Sequence, residues 1–202
     1  MPRPGSIALH AVRLLAGAAL LVVAAPSAAR VLLTVDEALA LAFPEAEIER
    51  RTIFLSEQQI ARATELAGQP PSSAVVHPYV ARRKGAVVGT AYFDAHVVRT
   101  LNETVMVTVD SEGRIGRVEV LSFEEPPDYL PRDAWYEQFD GRRLDAELEL
   151  RRAVRPVAGA TLTARATTDA ARRVLALHQV IADARVPAPT EAKSAASVPP
   201  PP

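Results

Sequence analysis

From residue 74 to residue 123 apolar positions tend to recur every second residue, and on either side of that stretch they recur every third or fourth. A period of two is that of a strand with one buried face; the longer period is that of an amphipathic helix. Ala74 to Arg82 and Ala86 to Asp94 are rich in β-formers. Pro78 suits an edge or an irregular strand, and Gly89 marks a bulge or a close backbone approach. In Glu103 to Asp110, Val105, Val107 and Val109 alternate with Thr104, Met106 and Thr108, and alternation resumes from Arg114 to Phe123. Two such runs around Ser111-Glu112-Gly113 predict a hairpin. Upstream, Thr34 or Asp36 caps a short helix ending before Pro44, and Ser56-Glu57-Gln58-Gln59 resembles a capping box opening a helix that stops at Gly68. Downstream, Pro131 opens a helix carrying Trp135, Tyr136 and Phe139 and ending at Gly141. Leu144 to Leu150 reads as extended and partly exposed. Thr167 to Ala184 reads as a last helix, with Val174, Leu177 and Ile181 as its apolar stripe and Thr167, Thr168 or Asp169 as caps. Helices before and after an antiparallel meander predict a single α+β domain.

The two ends break this pattern. Arg3 and Arg13 precede an unbroken apolar run from Leu14 to Ala25, Pro26 interrupts it, and Ser27-Ala28-Ala29 supplies small residues before Arg30. That is the form of a secretory signal peptide over 1–29, and the run is shorter than the roughly 20 residues that span a bilayer. From about Arg185 the chain is Pro-, Ala- and Ser-rich with almost no large apolar residue, which predicts a disordered tail over 185–202. The remainder divides into an N-terminal helical segment, 30–73, and an α+β domain, 74–184. The expected location is therefore periplasmic, or the extracytoplasmic face of the membrane.

Composition narrows the chemistry. With 49% hydrophobic residues the chain of 202 can build a core. Lys plus Arg is 23 against 24 Asp plus Glu, so no basic surplus points to nucleic acid. There is no cysteine, which excludes disulfides, thiolate-held iron–sulfur clusters and covalent c-type haem. No HExxH, GxSxG, GxGxxG or P-loop pattern is present, so nothing supports a metalloprotease, serine hydrolase, nucleotide dehydrogenase or NTPase.

The segment Val157-Ala158-Gly159-Ala160-Thr161-Leu162-Thr163 carries the candidate chemistry. Ala158 and Gly159 leave little side-chain bulk, so a ligand can approach the backbone. Thr161 and Thr163 offer hydroxyls, and the stretch runs into a helix whose first amides and positive dipole end suit a phosphate. Arg165 adds charge nearby. The same features also describe an ordinary capped loop.

The stretch GATLTARATTDA resembles the signature of the FMN-binding domain family, which includes the FMN-carrying G and C subunits of the Rnf complex and the sodium-translocating NADH:quinone reductase, and small exported relatives. Upstream, the order DSEGRIGRVEVL, EEPPDYLP, WYEQF and Gly141 is similar to that of the family, from Glu103 to Leu177. The resemblance implies FMN as cofactor, joined by its phosphate to the Thr161 hydroxyl in a phosphoester that a dedicated flavin transferase installs. Gly159 and Ala160 match the neighbours of the flavin-bearing threonine, Thr163 matches the second hydroxyl, and Leu162 lies between them. Ala158 stands where Ser or Thr is usual, and Arg155 where an acid thought to guide the transferase is usual; Arg155 can itself pair with a phosphate.

Glu125 lies in the acidic-proline turn, either near the flavin or exposed. Trp135, Tyr136 and Phe139 either cover the flavin ring or belong to the core. His77, His96 and His178 read as structural or surface residues. The function implied is an exported electron-carrying flavoprotein serving a membrane-associated redox partner, with no catalytic acid or base. The departures at Ala158 and Arg155 leave an alternative, a non-redox binding or assembly module that keeps the fold without flavin.

Overall fold

The computed structural model describes residues 30–184; the expected signal peptide and tail lie outside the described residues. In chain order the elements are β1 (Arg30–Val31), α1 (Val35–Ala42), β2 (Glu47–Arg50), β3 (Ile53–Phe54), α2 (Glu57–Ala67), β4 (Val75–Val76), β5 (Tyr79–Arg83), β6 (Ala86–Val97), β7 (Asn102–Val109), β8 (Ile115–Phe123), α3 (Asp133–Tyr136) and α4 (Thr161–Asp183), with 3₁₀ turns at Pro127–Tyr129 and Glu137–Phe139. Six strands form one antiparallel sheet in the order β1-β8-β7-β6-β5-β2, and β3 pairs with β4 in a separate ribbon. The fold is α+β, as the alternation of period two and helical period implies.

The pleat of the meander explains the two layers. Tyr92, Val105, Val107, Val109, Val118 and Val120 face α4, against Val174, Leu177 and Ile181. Their alternates Ala91, Met106 and Leu121 pack under Ala38 and Leu39 of α1 on the opposite face. The segment 30–73, expected to be helical, does form α1 and α2, each with a capping box, from Thr34–Glu37 and Ser56–Gln59. It also supplies β1 and β2 to both edges of the main sheet and packs α2 on α4, so it is integral to the domain rather than attached to it.

Three local expectations change. Pro78 splits Ala74 to Arg82 into β4 and β5, which join different sheets. Leu144 to Leu150 is turned, not extended: the Asp145 carboxylate accepts from the N–H groups of Glu147 and Leu148, and Leu148 is fully buried. The last helix begins at Thr161, six residues before Thr167. Thr167 and Thr168 look like caps but are buried within the helix, where the Thr168 hydroxyl bonds back to the Ala164 carbonyl and Thr167 reaches across to the sheet.

Gly89 is both things its pattern suggested. The β5–β6 register shifts between Ala81 and Arg82, opposite this part of β6, and a Cβ on Gly89 would stand 2.7 Å from the Phe43 ring and 3.1 Å from the Val109 carbonyl. Phe43 can move, but the Val109 carbonyl belongs to the central ladder. Gly89→Ala is expected to cost about 1–3 kcal/mol, read as a lowered urea midpoint at unchanged slope.

Candidate functional site

The approach to α4 is pinned before it turns. The Trp135 indole N–H donates to the Arg155 carbonyl at 2.7 Å, and the Arg155 N–H donates to Gln138 Oε1 at 2.8 Å. The chain then bends at Ala158 and Gly159, where φ is +82°, a conformation glycine takes without strain. A side chain there would meet nothing within 4 Å, so the backbone faces open space. Ala160 is the N-cap and has no side-chain oxygen, so no side chain caps the first turn of α4. The first helical bond runs from the Ala164 N–H to the Ala160 carbonyl at 2.9 Å. The Thr161 hydroxyl donates to the Val157 carbonyl at 3.1 Å and keeps its own lone pairs.

This turn opens into a cleft of about 160 Å³ lined by Gly159 to Thr163, Tyr129 and Arg99. The Thr163 hydroxyl is not free: it donates to the Tyr129 carbonyl at 2.6 Å and fastens α4 to the 3₁₀ turn. Arg99 lies over the Tyr129 ring at 4.6 Å from its centroid. Glu125 holds Arg99 in place. Its Oε1 accepts from the backbone N–H groups of Thr100 at 2.7 Å, Leu101 at 2.9 Å and Arg99 at 3.2 Å, and those amides, Thr100 foremost, hold the carboxyl below its usual range. Glu125 is thus buried and neither beside the cleft nor on an exposed turn.

A second cleft, of about 210 Å³, adjoins on the other side of half-exposed Leu162, bounded by Gln69, His96, Val97, Arg165 and Arg173 among others. Behind it the α4-facing side of the sheet changes from apolar to charged. His96 places Nδ1 2.9 Å from Asp94 Oδ1 and Nε2 3.0 Å from Glu103 Oε2. Arg173 donates to both Asp94 oxygens, at 2.7 and 3.0 Å, and to Gln69 at 2.8 Å. Burial alone would lower His96, but the two carboxyl groups outweigh it and raise it to about 9. Burial alone would raise Asp94, but His96 and Arg173 outweigh it and lower it to about 2.

Because the His96 pKa is raised on folding, its contribution to stability is complete below about 6.5 and is lost as pH rises through about 9. Because the Asp94 pKa is lowered, its contribution is complete above about 3.8 and is lost as pH falls through about 2. Urea unfolding is therefore expected to show this cluster's contribution at its fullest between about pH 4 and 6.5 and a decline toward pH 9.5, which His96→Gln flattens.

Of the residues singled out from sequence, Gly159, Ala160, Thr161, Leu162 and Thr163 line one cleft together. Ala158 is exposed at the turn just before them, and Arg155 is exposed and outside the cleft lining. Tyr136 and Phe139 are core and Trp135 packs against it, so none of the three walls either cleft. Arg99 and the Asp94–His96–Glu103 set were missed. The one sequence signal for the latter is a charged i, i+2 pair where a buried strand face should be apolar.

Larger cavities exist elsewhere. One of about 580 Å³ is bordered by Glu119, Asp133, Glu137 and Asp140 against the single cation Arg117, a rim that disfavours an anion. In the comparison with known families, residues 102–176 match the model of the FMN-binding domain. Those residues are an FMN-binding domain. No curated protein matches the chain.

The matched stretch of this FMN-binding domain runs from β7 through most of α4, so it includes the first turn of α4 and both Glu103 and Arg173, while Arg99 and His96 fall just outside it. FMN is the cofactor such a domain takes. The residues present fit its phosphate: bare amides at a helix N-terminus, a hydroxyl and a guanidinium line a cleft with no acid in its lining. A tricyclic ring exceeds either cleft alone, since cofactor sites run to about 300 Å³ or more. The two clefts share Leu162, which is half exposed and stands between them.

Proposed function

We propose that this protein is an exported flavoprotein that carries electrons through FMN held at the first turn of α4, with the flavin phosphate joined to Thr161 Oγ1 as a phosphoester. The observation that carries the reading is the uncapped start of α4, where Thr161 and Arg99 line one cleft and no carboxylate does. Bound FMN supplies the one- and two-electron chemistry. The chain's own residues bind and orient: Gly159 lets the backbone come close, Arg99 offers charge to the phosphoryl group, and Leu162 gives the ring an apolar edge. No general acid or base is required of the protein.

Export is supported by Arg3 and Arg13, the apolar run to Ala25 and the small residues before Arg30. A covalent tether suits an exported protein, because flavin lost outside the cytoplasm is not readily replaced. The partners are a flavin transferase for maturation and a membrane-associated redox protein that gives or takes electrons. Protein exported from cells with an active transferase is expected to be yellow, to keep its absorbance through acid precipitation, and to bleach reversibly on reduction. A colourless product contradicts the reading, and is what the non-redox module suggested by Ala158 and Arg155 would give. In cofactor-free protein, Arg99→Ala is expected to weaken FMN binding roughly tenfold through loss of a charge-assisted bond, measured by quenching of flavin fluorescence.

A further inference from the structure

We propose that His96, clamped between Asp94 and Glu103 at the wall of the cleft beside Leu162, supplies a fixed positive charge that raises the reduction potential of the flavin. The proposal rests on the reading that FMN occupies these clefts.

The geometry comes first. Both ring nitrogens of His96 lie at hydrogen-bond distance from carboxyl oxygens, 2.9 Å on one side and 3.0 Å on the other. An ionised carboxylate only accepts, so an imidazole so placed satisfies both when it carries both protons. The surroundings hold the carboxyl groups in register. Arg173 grips Asp94 through two donors, and the buried Thr167 hydroxyl donates to Glu103 Oε2 at 3.1 Å. Across β6 and β7, His96 and Glu103 are direct cross-strand partners. Arg165 and Asp169 of α4 border the same cleft, and Gln69 meets it from beyond α2. Tyr136 feels Glu103 from α3, since burial and then that charge push its hydroxyl well above its usual range.

Folding does not call for such a cluster. Two and four residues along β6 and β7 the same sheet face is closed by Tyr92, Val105 and Val107, all buried and apolar. Buried ion pairs are often no more stabilising than packed hydrophobic residues, so the fold gains nothing from charge at this end of the face that apolar side chains would not supply. It also leaves Glu103 Oε1 and the Tyr136 hydroxyl buried without a hydrogen-bond partner among the described residues. What distinguishes this end of the sheet is its position under the first turns of α4, beside the cofactor cleft. Flavin gains electrons on reduction, and a partly buried cation nearby favours the more negative, reduced form over the oxidised one.

Two measurements test this. Nitrogen-15 NMR of the cofactor-free protein is expected to show His96 with both ring nitrogens protonated at neutral pH, losing a proton near pH 9. A neutral ring at pH 7 overturns the proposal. In FMN-loaded protein, His96→Gln is expected to bind oxidised flavin at least tenfold better relative to reduced flavin than the native protein does, a fall of about 30 mV for a two-electron couple. Glu103→Gln keeps the imidazole but removes one of its anions, so the pH at which the potential changes slope should move down toward neutrality. This variant decides the matter if His96→Gln does not fold. An unchanged potential in a folded, flavin-bearing His96→Gln protein, or an unmoved slope change in Glu103→Gln, overturns the proposal alone. Native protein that takes up no flavin overturns instead the reading on which it rests.

Discussion

Thr161→Ala protein, exported alongside an active flavin transferase, is expected to lose all of its acid-stable flavin while folding as the native protein does. Thr161 is the first residue of α4, and its hydroxyl makes one bond, to the Val157 carbonyl, one turn back. Losing that bond leaves a carbonyl at a partly exposed turn, where water replaces the hydroxyl, so the cost is about 1 kcal/mol or less. The chemical loss is complete, because no carbon-bound oxygen remains at that position to form the phosphoester. Thr163 does not substitute for it: its hydroxyl is buried and committed to the Tyr129 carbonyl. Residual noncovalent FMN is expected in the alanine variant, since the amides, Gly159 and Arg99 are untouched. Flavin that stays with the variant through denaturation would assign the bond to another side chain.

Arg173→Ala is expected to destabilise the native state by about 3–5 kcal/mol, the largest effect of any single substitution considered. The guanidinium is nine-tenths buried and makes a two-pronged contact with Asp94, which is itself 3% exposed. Removing it strands a carboxylate in the interior with His96 as its remaining cation. Chemical denaturation at pH 6 reads the loss. If the cost is that of an uncompensated charge, Asp94→Asn in the Arg173→Ala background restores a good part of it. If the two substitutions simply add, the cost lies in packing and not in charge.

The sheet was largely legible from the chain because β6, β7 and β8 obey a period of two over many residues. The Ser56–Gln59 capping box was legible because it satisfies local geometry alone; at the first helix the sequence offered Thr34 or Asp36 as the cap, and the structure shows a second box, Thr34–Glu37. The start of α4 was misread for a physical reason. Ala160 caps nothing while Thr167 and Thr168 are good capping residues, yet tertiary packing buries the two threonines inside the helix. Helix-start amides beside the small-residue turn were expected from the sequence, but the structure brings them to Thr161 itself rather than to Thr167. Arg99 was invisible because Glu125 and Tyr129 bring it to the cleft from a hairpin more than fifty residues away in sequence. Glu125 was singled out for being in a suggestive turn, but its work is done at the backbone of residues 99–101, which no local pattern encodes.

Peptide mass mapping of the exported protein tests the account most directly. Trypsin releases Ala153 to Arg165 as one peptide, because Pro156 protects the bond after Arg155. The account predicts that this peptide carries the mass of one FMN less one water, with fragment ions placing the addition on Thr161. An unmodified peptide from protein that is nevertheless yellow contradicts the covalent assignment, and an unmodified peptide from colourless protein, made with an active transferase, contradicts the flavin site itself.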